Sequence, residues 1–137
     1  MAGRLTGGCL CGAVRYDVRA EPMQMLNCHC RDCQRASGTG FAAIVVVPRS
    51  AAAITGELRF HETKSDSGNG IARGFCPVCG SPVAINLERM PDIIGLHASS
   101  LDDPSIYRPQ IEVFTESAQP WDMMSRATKK YPRGMTR

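Results

Sequence analysis

Seven cysteines carry the chemistry that this sequence makes possible, and they fall in three short groups. Cys9 and Cys11 spell CxC, Cys28, Cys30 and Cys33 spell CxCxxC, and Cys76 and Cys79 lie in a CPxCG turn. Spacings this short bring sulfurs within reach of one metal ion, and thiolates are the usual ligands of structural tetrahedral zinc. Four of the seven can close one site. The other three can hold a second ion and leave its fourth position open. Side chains two apart in extended backbone project to the same side. Cys9 and Cys11 can therefore share an ion, and so can Cys28 and Cys30, with Cys33 returning from the turn that follows. CxC and CPxCG together make a closed set, although spacing alone leaves other four-thiolate pairings open. A redox role for Cys76 and Cys79 would call for a βαβ context, which the surrounding stretch lacks, so zinc is the preferred reading.

A zinc ion with three protein ligands and an open position is the pattern of a catalytic or ligand-binding site. An incoming thiol there would have its pKa lowered and be held as a thiolate. The substrate class expected is a small thiol or thiol adduct. The competing reading is that a nearby side chain closes the site. His29 is nearest, but in extended backbone it projects away from Cys28 and Cys30, and it is expected behind the site or at the surface. His61 is expected at the surface or packed, and His97, in an apolar stretch, as a core residue. Arg31 and Arg35 flank Cys33 and can pair with carboxylates of a substrate such as glutathione, or stay solvated. No Ser-His-Asp set, phosphate loop or dinucleotide fingerprint is present.

The elements that must position these residues read mostly as strands. Residues 4–18 form a hairpin-like unit in which Val14, Tyr16 and Val18 alternate with Arg15, Asp17 and Arg19, the period of a half-buried strand. Residues 23–27 run as a strand into Cys28, and RDCQRASG reads as a short helix ended by Gly38. FAAIVVV, closed by Pro48, reads as a buried central strand. Residues 58–63, 71–75, 83–87, 93–98 and 111–115 read as further strands, with turns at 65–70 and 102–104. The stretch from Pro120 on, with Trp121, reads as irregular or weakly helical. About eight strands and one short helix after CxCxxC predict a mainly β, antiparallel domain, a single domain over residues 1–137.

Composition fits that class. The chain has 137 residues, 43% hydrophobic and 21% charged, with a net charge of +3, which suits one core. That charge is too weak to argue for nucleic acid, and Lys129, Lys130, Arg133 and Arg137 read as a solvated basic tail. No apolar run approaches the ~18 residues of a membrane helix. The first residues lack the apolar stretch of a signal peptide, so the expected location is the cytoplasm. Disulfides are rare there, and an odd cysteine count fits a disulfide framework poorly.

The motifs GGCLCGAVRY, CHCRDCQRASG, RGFCPVCGSPV, LDDP and FTESAQPW, in this order, resemble the glutathione-dependent formaldehyde-activating enzyme family, whose domain is shared with the centromere protein V group. The resemblance runs from about Thr6 to Trp121. It implies a β-tent domain built around zinc. It implies that Cys9, Cys11, Cys76 and Cys79 make a structural zinc site and that Cys28, Cys30 and Cys33 make a second, catalytic one, two zinc ions per chain. It also implies addition of glutathione to formaldehyde, giving S-hydroxymethylglutathione, a carbon–sulfur lyase reaction in reverse. Before FTES the family often carries a histidine, where this chain has Glu112. The alternatives are a non-catalytic zinc module that binds a thiol or a protein partner, and a redox or metal-stress sensor. The oligomeric state, a homodimer included, is left open.

Overall fold

The computed structural model describes residues 3–65 and 68–135. Arg137 of the basic tail and the middle of the 65–70 turn lie outside the described residues. The strands are β1 (Leu5–Gly8), β2 (Arg15–Val18), β3 (Gln24–Cys28), β4 (Ala42–Pro48), β5 (Ala52–Thr55), β6 (Arg59–Lys64), β7 (Gly70–Phe75), β8 (Pro82–Leu87), β9 (Ile93–His97), β10 (Ile111–Val113) and β11 (Lys129–Lys130). One α-helix, α1 (Arg31–Ser37), joins β3 to β4. A three-stranded sheet has the order β1-β2-β5, and an eight-stranded sheet the order β11-β10-β3-β4-β9-β8-β7-β6. The chain is mainly β, as expected. The pairings are antiparallel except at one edge, where β10 runs parallel to both β3 and β11.

The apolar run at β4 takes the central place its composition predicts, between β3 and β9. Val45 and Val47 from β4, Tyr16 and Val18 from β2, Val83 from β8 and Leu96 from β9 meet in one core, and Cys9 and Cys76 belong to it. In β2 the alternation sends Tyr16 and Val18 inward while Arg15 stays exposed. A smaller cluster joins Ala42, Ile111 and Val113 to Cys28 and Cys33. Each cysteine group thus has members seated in apolar packing, while Cys11 stays exposed.

The two sheets are tied where Gly7 bridges Leu101. Tyr16 Oη and Ser100 Oγ lie 2.6 Å apart, Arg15 holds Asp102 through both guanidinium ends, and Thr6 Oγ1 donates to Asp102 at 2.8 Å. The Arg15 guanidinium, and then the Thr6 hydroxyl, hold the Asp102 carboxyl down to about 2. These polar groups require a close backbone approach: a Cβ on Gly7 would stand 2.3 Å from Tyr16 Oη and 2.4 Å from the Ser100 carbonyl oxygen.

The stretch from Pro120 on is largely irregular, as read, but also adds the strand β11. Phe114 adopts a left-handed conformation, φ 56°, and turns the chain aside. It then returns along β10: the Lys129 amide donates to Gln110 at 3.0 Å, and the Tyr131 amide to Glu112 at 2.9 Å. Among the described residues no helix is long and apolar enough to cross a membrane.

Gly7→Ala is expected to lower stability by about 1–3 kcal/mol, the usual cost of forcing a group into filled space, read as a lower denaturant midpoint. An unchanged midpoint would mean that the junction of the sheets gives way at no cost.

Candidate metal centres

The four-cysteine group is built from two turns of similar design. In the first, the Cys9 amide donates to the Val14 carbonyl at 3.0 Å, the Gly12 amide to the Cys9 carbonyl at 3.2 Å, and the Val14 amide to Cys9 Sγ at 3.2 Å. In the second, the Gly80 amide donates to the Cys76 carbonyl at 2.8 Å and the Val78 amide to Cys76 Sγ at 3.4 Å. Gly12 (φ +85°) and Gly80 (φ +80°) supply the left-handed residues that both turns need. Ser81 links the turns: its Oγ accepts from the Leu10 amide at 3.0 Å and lies 3.2 Å from Cys79 Sγ.

The sulfur positions test the fit to a metal. All seven cysteines are free thiols. Cys9 and Cys11 sulfurs are 3.7 Å apart and those of Cys11 and Cys76 are 3.8 Å apart, far beyond the ~2.05 Å of a disulfide. A tetrahedron of thiolates at the usual Zn–S distance of about 2.3 Å has edges of about 3.8 Å. The four sulfurs all lie within 4.8 Å of one another. The donor set and its spacing fit a zinc ion. Amides aimed at the sulfurs favour thiolates: the Ser81 hydroxyl first, then the Ser81 and Cys11 amides, bring the Cys79 thiol down to about 5.

The three-cysteine group sits at the β3–α1 corner. Cys28 ends β3, Cys30 is the N-cap of α1, and Cys33 is in its first turn. Cys30 Sγ accepts from the Cys33 amide at 3.2 Å, as an N-cap side chain does. Gly38, at φ 77°, ends the helix as expected. The three sulfurs lie within 4.8 Å of one another, and among the described residues no fourth His, Cys, Asp or Glu donor joins them. Cys28 and Cys33 are buried and Cys30 is half-buried. Interactions with Cys28 and Cys33, the Cys33 amide and the Arg73 charge bring the Cys30 thiol down to about 2. Cys30 and Cys33, together with burial, push the Cys28 thiol up.

His29 does not close this group. It projects to the other side of the corner, as expected, but it is fully buried and not a surface residue. Its Nε2 lies 2.7 Å from Glu112 Oε1. Its Nδ1 lies 2.9 Å from Asp122 Oδ2, out of line for a hydrogen bond. Glu112 is itself 1% exposed and accepts from Asn27 Nδ2 at 3.3 Å and from Thr128 Oγ1 at 2.6 Å. Burial works against its charge, yet the Thr128, His29 and Asn27 hydrogen bonds hold its carboxyl below the usual range. Gln34 extends the network by donating to the His29 and Ser117 carbonyls. Behind the cysteines, then, β3, α1, β10 and the returning tail meet in one buried polar set.

Beside Cys33, on the Arg73 side, lies a cavity of about 250 Å³, lined by Ala36 of α1, His61, Arg73, Gly74 and Phe75 of β6 and β7, Gly80, Pro82 and His97, and by none of the three cysteines. It reaches from Gly80, next to Cys79, to Arg73, whose Nη2 is 4.0 Å from Cys33 Sγ. His97 is buried, as expected, but it lines this cavity. Burial, then the Arg73 charge, keeps its pKa below the ordinary value. His61 is exposed at the rim. Arg31 and Arg35 are exposed on α1 and neither lines the cavity; Arg31 bonds Gln34 instead. The arginine at the sulfurs is Arg73, which sequence reasoning passed over. Its one signal was being the sole charged residue in the strand that enters CPxCG.

Comparison with known proteins agrees with this architecture. The family model of the glutathione-dependent formaldehyde-activating enzyme matches residues 4–117. A curated protein of Halomonas elongata, provisionally named for that same activity, is 25% identical over 123 residues, covering 85% of this chain and 78% of its own. A crystal structure of a Rhodobacter sphaeroides protein matches with a TM-score of 0.57 at 21% identity, over 71% of this chain and 87% of that one, a likeness of fold. The chain belongs to the glutathione-dependent formaldehyde-activating enzyme family.

Glu112→Ala strips partners from three buried groups at once and should cost about 3–5 kcal/mol, as breaking a buried pair does. Because the Glu112 carboxyl is held low, its stabilisation is complete above the ordinary value of about 4.3 and is lost as pH falls through the folded value. Glu112→Gln should flatten that acid limb. Denaturation across pH 3–7 measures both, and an unaltered acid limb in Glu112→Gln would remove Glu112 from this account.

Proposed function

We propose that this member of the family is a zinc-dependent, carbon–sulfur lyase-like enzyme that makes and breaks the adduct of a small thiol with formaldehyde, as an S-hydroxymethylglutathione synthase does. The observation that carries the proposal is the trio Cys28, Cys30 and Cys33: three convergent thiols, no fourth protein donor among the described residues, and a cavity at their edge. In this reading Cys9, Cys11, Cys76 and Cys79 hold a structural zinc ion that joins distant strands and contributes to folding. Cys28, Cys30 and Cys33 would hold a second zinc ion, beside the cavity that Arg73 lines. When bound, that ion supplies a lowered thiol pKa and a fixed position for the sulfur.

The chain's own residues do the rest. In the forward direction the thiol sulfur bonds to the carbonyl carbon, the carbon–oxygen π pair moves to oxygen, and the proton lost from sulfur ends on that oxygen. The reverse breaks the carbon–sulfur bond and returns the proton. His97, neutral in the cavity, has a lone pair to offer that proton. Phe75, Pro82 and Ala36 give the cavity its apolar lining. The β3–α1 corner keeps the three sulfurs converged because His29 behind it is anchored to Glu112. Seven free thiols also suit a cytoplasmic location, where they stay reduced.

The adduct also forms without an enzyme, so the test is a comparison of rates. Glutathione–formaldehyde adduct formation with the zinc-loaded protein should exceed the uncatalysed rate. Cys30→Ser should return it to that background while the four-cysteine group keeps the fold intact, checked by circular dichroism. Equal rates for wild type, Cys30→Ser and buffer alone would sink the proposal.

A further inference from the structure

The cavity beside the three cysteines is lined by one arginine, Arg73, to which the fold gives a sulfur neighbour but no carboxylate among the described residues. Arg73 rises from β7 opposite His61. Its Nη1 donates to Thr63 Oγ1 at 3.2 Å and its Nη2 reaches Cys33 Sγ at 4.0 Å, while its Nε is buried with no hydrogen-bond partner. Among the described residues no carboxylate pairs with it. Arg4, Arg15 and Arg133, all more solvated, do find carboxylates. A guanidinium presents five N–H donors in a planar fork matched to a carboxylate, and leaving such donors unmet in a partly dry site is costly. The cavity wall offers no acidic side chain, only Arg73, two histidines and apolar or glycine surface.

We infer that this cavity receives a carboxylate and that Arg73 makes the site selective for short thiol carboxylates over neutral thiols. The inference rests on the proposed reading in one respect: the ligand's sulfur occupies the position facing the Cys28, Cys30 and Cys33 group. Arg73 stands beside one of those sulfurs, so a ligand sulfur held there lies a few ångströms from the guanidinium. Two or three carbons between sulfur and carboxylate span that gap. The volume agrees. At about 250 Å³ the cavity falls below the roughly 300–1,000 Å³ usual for ligand sites. A three-carbon thiol acid fits within it. Glutathione, whose central cysteine has no free carboxylate, can offer Arg73 only a terminal carboxylate farther from its sulfur, whereas a compact thiol acid carries its carboxylate within reach.

Cobalt substitution gives a readout independent of turnover, because thiolate binding to cobalt changes its charge-transfer absorption. The cobalt-loaded protein would be titrated at one pH with 3-mercaptopropionate, 2-mercaptoethanol and glutathione, each affinity being referred to the free thiolate. Wild type should bind 3-mercaptopropionate about tenfold or more tighter than 2-mercaptoethanol, the scale of a charge-assisted hydrogen bond. Arg73→Gln should abolish most of that preference with 2-mercaptoethanol affinity unchanged, and Arg73→Lys should keep part of it. Equal affinities in wild type would overturn the inference while leaving the proposed thiol site standing. Equal weakening of both thiols in Arg73→Gln, with cobalt lost, would overturn it too, by assigning Arg73 to the charge balance of the thiolates. A spectrum that no thiol alters would refute the thiol site itself, and the inference with it.

Discussion

Sulfur atoms 3.7–3.8 Å apart are a constraint on everything around them. As thiolates they repel, and as thiols they hydrogen-bond poorly, so such a cluster holds its shape only with a cation or with donors aimed at it. The fold supplies donors: Val14 and Val78 turn their amides toward the sulfurs of Cys9 and Cys76. The two turns that deliver these amides lie on β-structure from opposite parts of the chain. Much of the sheet geometry follows from bringing them to one point: β1 and β2 must fold back so that Cys9 and Cys11 meet Cys76 and Cys79, and the Arg15–Asp102 and Gly7–Leu101 ties hold that arrangement.

The second group answers the same constraint differently. Its three cysteines lie within six residues, so the chain needs no distant strand to collect them, but a strand-to-helix corner is easily deformed. Glu112 makes it rigid from behind. A buried carboxylate is a poor choice for stability alone. Placed among Asn27, His29 and Thr128 it fixes the orientation of the backbone that carries Cys28 and Cys30. The front of the corner carries Arg73, and the back is closed by the Glu112 network.

The cysteine groups and the strand carrying them were legible because their signals are local. CxC and CPxCG bring their own glycines, and β2 and β4 announce themselves by alternation and by an apolar run. What was not legible depends on partners far away in sequence. β5 is four residues without a pattern, and β11 is two lysines that read as a solvated tail until β10 is seen beside them. His29 read as a possible surface residue because nothing near it names Glu112. Arg73 went unnoticed because an arginine in a strand is unremarkable until the sulfur beside it is known. The parallel edge could not be inferred either, since the short β10 has no crossover helix to signal it.

The same parallel edge has a kinetic meaning. Asn27 and Glu112 are 85 positions apart, whereas the three cysteines of the corner are nearly adjacent. Contacts between distant segments form late, since loop closure must precede them. During synthesis, at ~5–20 residues per second, the corner cysteines would emerge seconds before the β10 segment that immobilises them. In that interval the three thiols lack the backing that fixes their spacing. The arrival of Glu112 and Thr128 then sets the corner's geometry.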